Sequence, residues 1–379
     1  MGGKALPVLE TVPVTSRRDM DAFINLPWKI YKGSPYWVPP LKKEIGKLLD
    51  TSQHPFWQFS EQKLFIARRG SQVVGRIAGI IDRNFNIFHS TRSGAWGFFE
   101  CVDDAEVSKA LFEAVENWLS ERGMKVIRGP LNPSTNYEVG LLVEGFDSVP
   151  SFMMPYNPPY YMNLVEAAGY RKEKDLLSFV GHRDTYRPPD WMMRLLERFH
   201  RDGRITIRSL DQNRVAEDME LTRKLYHECW AGNWGFVPMT EAEFAEMSDN
   251  LQRIGDPELL FFVYWDDEPV AVALTVPDIN PLLKRLNGKM GLLGLVKILL
   301  YKKEVTGLRG LLFGVKEKFR AKGIPFVALD HALKTMLKAN YTHIELGWNL
   351  EDNEDINQLE THFGASPSKR YRIYWKEPE

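Results

Sequence analysis

The chain has 379 residues, 49 Lys and Arg against 50 Asp and Glu, a formal net charge of -1 and 44% hydrophobic residues. That balance excludes an intrinsically disordered chain and nucleic-acid binding driven by bulk charge, and the length exceeds what one core usually serves, so two domains are expected. Cys101 and Cys229, far apart and in no metal-ligand spacing, support neither a disulfide framework nor a zinc site; with no basic start and apolar core over residues 1–10 and no apolar run of spanning length, a cytoplasmic location is expected.

In chain order, residues 8–14 read as a strand and 17–31 as a helix interrupted near Pro27. Pro35, Tyr36, Trp37, Pro39 and Pro40, then His54, Pro55, Phe56 and Trp57, give rigid amphipathic surface that suits a ligand lip or the packing of an irregular loop. Residues 64–69 and 73–82 form a hairpin about Gly70 and Ser71, and 95–101 a further strand. Residues 106–122 form a helix with Leu111, Ala114, Val115 and Leu119 on one face and Gly123 at its stop. A strand over 126–129, a helix over 159–168 and a strand over 176–180 follow.

Past Pro188 and Pro189 the plan repeats. A strand over 205–210 leads to a helix over 213–229 and to a hairpin of 259–265 and 270–277. Residues 311–315 make a strand, and Phe326, Leu329, Leu333, Met336 and Leu337 mark a helix after Gly323. A strand over 341–348, a helix carrying Ile356, Leu359 and Phe363, and a strand over 371–375 close the chain. Matching order in both halves is the signature of a duplication at domain scale, with domains over residues 1–185 and 190–379. The second half adds an insert over residues 280–304, in which leucines alternate with Lys284, Arg285, Lys289, Lys297, Lys302 and Lys303, with no acidic residue before Glu304. Too short and too charged to span a bilayer, it suits a segment lying among lipid headgroups or lining an acyl channel; a helix pair packed on the sheet is the alternative.

Two motifs carry the chemistry. VKEKFRAKGIP leads from a buried strand into a helix start, whose N–H groups beside Arg320 and Lys322 make a concavity suited to a pyrophosphate, or else a solvated basic turn. IELGWNLEDNEDINQLETHFGA then reads as strand, asparagine-bearing loop and helix. In this order and spacing the pair resembles the acyl-CoA pyrophosphate loop of the GNAT acyltransferase superfamily (Arg or Gln, two residues, Gly, one residue, Gly or Ala) and the segment that follows it. Two positions depart from the pattern. Pro325 stands at the last small residue and removes a donor, and Glu360 stands where many members carry the Tyr that protonates the leaving thiolate.

The resemblance implies an α/β (α+β) class: two tandem GNAT-like folds, each a mixed, mostly antiparallel twisted sheet flanked by helices. It implies an acyl-CoA-dependent N-acyltransferase with acyl-CoA as cosubstrate, no permanently bound cofactor and no metal. The thioester would lie beside Phe313, Gly314 and Val315, where a backbone N–H serves the oxyanion. Arg320, Ala321, Lys322, Gly323 and Ile324 would take the pyrophosphate, and Asn353 would face the pantetheine arm. Glu345 is the expected base, because a carboxylate in a mostly apolar strand either faces the site or must be ion-paired.

The first half carries Asp103 and Asp104 where phosphates need attraction, so it is expected to hold no CoA. Its polar loop of Asn132, Asn136 and Glu138, extended by Tyr156 and Asn157, is the expected acceptor side, joined by Trp348, with Glu138 the second candidate base. Turn capping is the other role open to Asn132 and Asn136. Through LPWKIYKGSPYWVPPL, GPLNPSTN, YNPPYY, NWGFVPMT and YRIYWK the chain resembles, more narrowly, the bacterial ceramide synthase group. That implies a long acyl group moved to a sphingoid amine, and peripheral contact with the inner membrane face. A catalytically inactive acyl-CoA- or lipid-binding protein and a small-molecule N-acetyltransferase stay as alternatives, as does an aminoacyl-tRNA-dependent peptidyl transferase, which the near-neutral charge disfavours.

Overall fold

The computed structural model describes residues 7–186, 188–339 and 341–378. The first half runs β1 (Leu9–Pro13), α1 (Arg17–Asn25), α2 (Pro27–Ile30), α3 (Lys42–Leu48), β2 (Ser60–Arg69), β3 (Gln72–Asp82), α4 (Arg83–Phe88), β4 (Ser93–Cys101), α5 (Ala105–Ser120), β5 (Val126–Gly129), β6 (Leu131–Asn132), β7 (Glu138–Val139), β8 (Leu141–Glu144), α6 (Tyr161–Ala167) and β9 (Arg171–His182). The second runs α7 (Asp190–Asp202), β10 (Ile205–Ser209), α8 (Val215–Trp230), α9 (Glu241–Gln252), β11 (Leu260–Trp265), β12 (Glu268–Pro277), α10 (Asn280–Leu286), α11 (Leu292–Tyr301), β13 (Gly307–Val315), α12 (Glu317–Arg320), α13 (Ile324–Lys338), β14 (His343–Leu350), α14 (Glu354–His362) and β15 (Ser366–Lys376). Each half thus carries the expected order of strand, helices, hairpin, strand, helix, strand and helix. Among the described residues no helix is long and apolar enough to cross a membrane.

Two compact units result, and neither is one uninterrupted half. The first comprises the chain up to Asp175, residues 283–295 and the chain from Arg370; the second comprises Leu176–Leu282 and Val296–Lys369. The closing strand of each sheet comes from the other half of the chain. In the first unit β15 pairs with β5 and β8 (Tyr374 opposite Gly129, Tyr371 opposite Leu142). In the second, the end of β9 pairs with β14 (Gly181 opposite Ile344, Val180 opposite Glu345). Each exchanged strand covers an edge that would otherwise present unpaired N–H and C=O groups.

In the first unit β1 to β4 are antiparallel neighbours and β5 joins β4 in parallel. Val107, Leu111, Val115 and Leu119 recur at four-residue spacing on α5 and pack with Ile77, Trp96 and Phe99. Phe23, Ile66, Ile80 and Phe98 make the core on the other face. The aromatic, proline-rich stretch packs on itself: Trp37 stacks on Tyr31 at 4.7 Å and meets Trp28 edge-on at 5.2 Å.

The second unit repeats the scheme, with β10 to β13 antiparallel and β14 parallel to β13. Val327, Leu333 and Met336 of α13 pack with Leu308 and Ile344, while Leu225 of α8 packs with Leu260, Phe262 and Val272. The N-terminus of α9 is held by reciprocal bonds between Thr240 and Glu243.

Candidate active site

In the second unit β13 and β14 pair over only three positions: Gly307 with His343, Leu308 with Ile344 and Arg309 with Glu345. Beyond these, β13 stays with β12 (Phe313 opposite Ala273, Val315 opposite Ala271) and β14 stays with β9 (Gly347 opposite Ser178, Asn349 opposite Leu177). The facing edges of 311–315 and 346–350 therefore carry no pairing with one another, and a fork opens between them. Each prong bends through one extra residue, Leu311 on β13 and Trp348 on β14, as a bulge adds local twist and re-aims a strand. Phe313, Gly314 and Val315 lie on one prong and Trp348 on the other. The ring of Trp230, at the end of α8, lies against Gly314.

The apex is charged and buried. Arg309 and Glu345, adjacent on neighbouring strands, share a face. Nη1 of Arg309 donates to the carbonyl of Gly310 at 2.5 Å and to that of Gly347, tying the two prongs together. Glu345 is 8% exposed, and burial pushes its carboxyl above the usual range against the pull of Arg309 and Lys369. Its Oε1 has no hydrogen-bond partner among the described residues, a state that is costly unless a ligand supplies a donor. His343 is held below its ordinary value by burial and by His182.

A second buried carboxyl comes from α14. Leu359 and Phe363 seat α14 in the core that contains Leu308 and Ile344, and this places Glu360, 4% exposed, behind β14. Asn349 gives its Nδ2 protons to Glu360 Oε2 at 2.8 Å and to Asn357 Oδ1 at 3.1 Å, so Oδ1 is the group it can offer to a ligand. Burial pushes the Glu360 carboxyl up to about 8, only partly offset by Asn349 and Arg309. At neutral pH this group holds its proton.

Below the fork the basic turn sorts its cations. Lys316 pairs with Glu228 at 3.0 Å and Lys318 with Glu268 at 2.9 Å. Arg320 is instead anchored by carbonyls, Nε to Val315 at 3.1 Å and Nη2 to Cys229 at 3.2 Å, and Lys322 lies over the rings of Phe319 and Trp265. No carboxylate among the described residues pairs with Arg320 or Lys322, so their charge is uncompensated. Gly323 turns the chain into α13 at φ 80°, where the Phe199 ring leaves no room for a side chain. The N–H groups of Gly323 and Ile324 have no hydrogen-bond partner among the described residues. Asn353, exposed at the start of α14, makes no side-chain cap bond.

The first unit builds the same junction and fills it. β4 and β5 pair over three positions, Ser93 to Ala95 with Val126 to Arg128, and β4 then bulges at Phe98. Here β6 closes the gap. A Cβ on Gly97 would stand 1.8 Å from the Leu131 carbonyl oxygen, and the Phe98 N–H donates to Asn132 Oδ1 at 2.6 Å. At the start of α5, Asp104 accepts from the N–H groups of Glu106 and Val107 and pairs with Arg69 at 2.8 Å. A carboxylate of the chain itself thus occupies the helix end.

Of the acceptor-side residues expected from sequence, Asn132 is committed to Phe98, and Asn157, 5% exposed, clamps the N–H and C=O of Leu142. The Asn136 N–H donates to Ser134 Oγ, and the Tyr156 hydroxyl donates to the Phe146 carbonyl, with its ring beside Tyr31 and Tyr36. Glu138 is open to solvent, yet enough protein surrounds it that burial pushes its carboxyl up against the pull of Asn132 and Arg76. Sequence reasoning passed over Arg309 and Asn349 and weighed Glu360 only as a departure. The signal for Arg309 was present: a lone charge inside LRGLLFGV, one strand away from the lone carboxylate of IELGW.

Duplicated GNAT folds, one of them with its strands unpaired beyond the fork, define a tandem GNAT-superfamily N-acyltransferase. No family model matches the chain. It is 34% identical over 373 residues to Protein YghO of Escherichia coli, covering 96% of this chain and 94% of that one. It is 33% identical over 376 residues to the bacterial ceramide synthase of Caulobacter vibrioides, covering 97% of each. Among solved structures, a tandem GNAT protein from the clavulanic acid biosynthesis pathway shares the fold, with a TM-score of 0.56 and 12% identity over 98% of this chain and 99% of that one. The chain belongs to the bacterial ceramide synthase family.

Proposed function

We propose that the second unit binds acyl-CoA and transfers its acyl group to an amine. The unpaired strand fork beside two buried carboxyls is the observation that carries this reading. The pyrophosphate would meet Arg320, Lys322 and the N–H groups of Gly323 and Ile324, a helix start suited to anions. The pantetheine arm would lie along the unpaired edge of β13, past Phe313, Gly314 and Val315, within reach of Asn349 Oδ1 and Asn353. The bulge at Leu311, which no side-chain acceptor engages among the described residues, would aim a backbone N–H at the oxyanion.

In the reaction the amine nitrogen attacks the thioester carbonyl, a C–N bond forms and the C–S bond breaks. Glu345 takes the proton that the attacking nitrogen loses. Glu360, which stays protonated at neutral pH because it is buried, gives its proton to the departing sulfur. The products are an amide and free CoA.

The first unit holds no CoA in this reading, since its fork and helix end are filled by Asn132 and Asp104. The name of the Caulobacter relative supports a long-chain acyl group and a sphingoid-type lipid amine as acceptor.

Incubation with long-chain acyl-CoA and a sphingoid amine, followed by assay of free thiol and amide, tests the proposal. Thiol release that requires the amine is expected. Glu345→Gln should lower kcat by about 100-fold or more at unchanged CoA affinity. No amine-dependent release overturns the acyl-transfer reading, and full activity in that variant removes Glu345 from the mechanism.

A further inference from the structure

The insert divides into two helices with opposite behaviour. α10 is anchored: Leu286 is buried, Asn287 Oδ1 accepts from the Trp28 indole at 2.8 Å, and the Lys42 N–H donates to the Gly288 carbonyl at 3.1 Å. α11 is turned inside out. Gly294, Ile298 and Tyr301 share one side, with Gly294 buried and the other two half-buried. Leu292, Leu293, Leu295, Val296, Leu299 and Leu300 are 52% to 85% exposed. At 3.6 residues per turn these six fill one continuous arc roughly 160° wide. An outward apolar face of this breadth marks an interaction surface.

The charges beside the face say what covers it. Lys289 lies exposed before the helix, Lys302 and Lys303 lie exposed after it, and the insert has no acidic residue until Glu304. A second copy of the chain placed across this face by two-fold symmetry would bring like charges together at both ends. A surface that is apolar inside and anionic at its rim answers both features. The helix has 10 residues, about 15 Å of length, which is half of what crossing a bilayer requires.

We propose that α11 docks the protein on an anionic lipid bilayer, lying in the interface plane with its leucines among the acyl chains and Lys289, Lys302 and Lys303 among the headgroup phosphates. This inference rests on the shape and charge of the insert and not on the acyl donor or the amine.

The test is co-sedimentation of the full chain with vesicles of phosphatidylcholine alone and of phosphatidylcholine mixed with phosphatidylglycerol. Binding is expected to the mixed vesicles and to weaken with added salt. The double variant Leu293→Ser with Leu299→Ser should bind at least about tenfold more weakly. Its melting temperature should be unchanged, because both side chains already face solvent. Lys302→Gln with Lys303→Gln should lower binding to the mixed vesicles by roughly fivefold per lysine. Absence of wild-type binding, or wild-type binding by the leucine variant, overturns the proposal. A lipid-free dimer that the leucine variant dissolves overturns it too, since the face then meets a second copy. Thiol release from a soluble acyl-CoA and a soluble amine should be the same in the leucine variant and the wild type, which separates a failure of docking from a failure of the transferase reading.

Discussion

In both units a parallel pair of strands parts after three residue pairs, and in both the strand that continues carries one extra residue at the parting. In the first unit a returning segment enters the gap, Asn132 takes the bulge N–H, and Asp104 takes the helix end. In the second no strand enters between the unpaired edges among the described residues, Arg309 ties the prongs at the apex, and the N–H groups of Gly323 and Ile324 beside Arg320 and Lys322 have no partner among the described residues. The same backbone therefore makes a structural junction in one place and a ligand site in the other. A side chain that satisfies a backbone donor from within removes the reason for a ligand to bind there.

The comparison breaks most visibly at the charged turn. Arg320→Ala with Lys322→Ala should weaken acyl-CoA binding roughly 10- to 100-fold by calorimetry, with kcat at saturation changed by less than about twofold. Unchanged affinity would move the pyrophosphate elsewhere in the chain.

A smaller effect belongs to the buried acid. Glu360 donates only while protonated, so turnover of an amine that titrates at low pH should fall as pH rises through about 8. Glu360→Gln should lower kcat about tenfold and abolish that alkaline limb, the loss being limited because a thiolate is itself a fair leaving group. A limb that persists in the variant assigns the titration to another group.

Asn132→Ala sharpens the contrast from the other side. It leaves the Phe98 N–H without its acceptor and should cost about 1–3 kcal/mol of stability in a denaturant melt, with turnover unchanged. Acyl-CoA stoichiometry should stay at one per chain. A rise to two would show that the asparagine alone keeps CoA out of the first fork.

Much of this was legible from local pattern. The alternating hairpin of 64–82, the apolar stripe of α5 and the Gly323 turn into α13 each announce themselves within one contiguous stretch. The start of α9 was legible too, since Thr240 and Glu243 have the spacing of reciprocal capping, yet no flanking apolar stripe drew attention to it. Short pieces such as β6 and β7 were not, because their pairing depends on a gap formed by strands far away in the chain. Asn132 and Asn157 are instructive: in a polar loop they read as ligand contacts, whereas the fold commits both to main-chain groups.

Sequence alone determined the order of elements, the duplication, the basic turn and the family, because each is written in contiguous residues whose spacing reflects helix and strand geometry. Tertiary structure alone decided which fork a returning strand fills, which carboxyls are buried and which strands close each sheet. Those outcomes depend on whether a distant segment reaches a backbone donor first, and the energy of that contest appears only when the chain is folded.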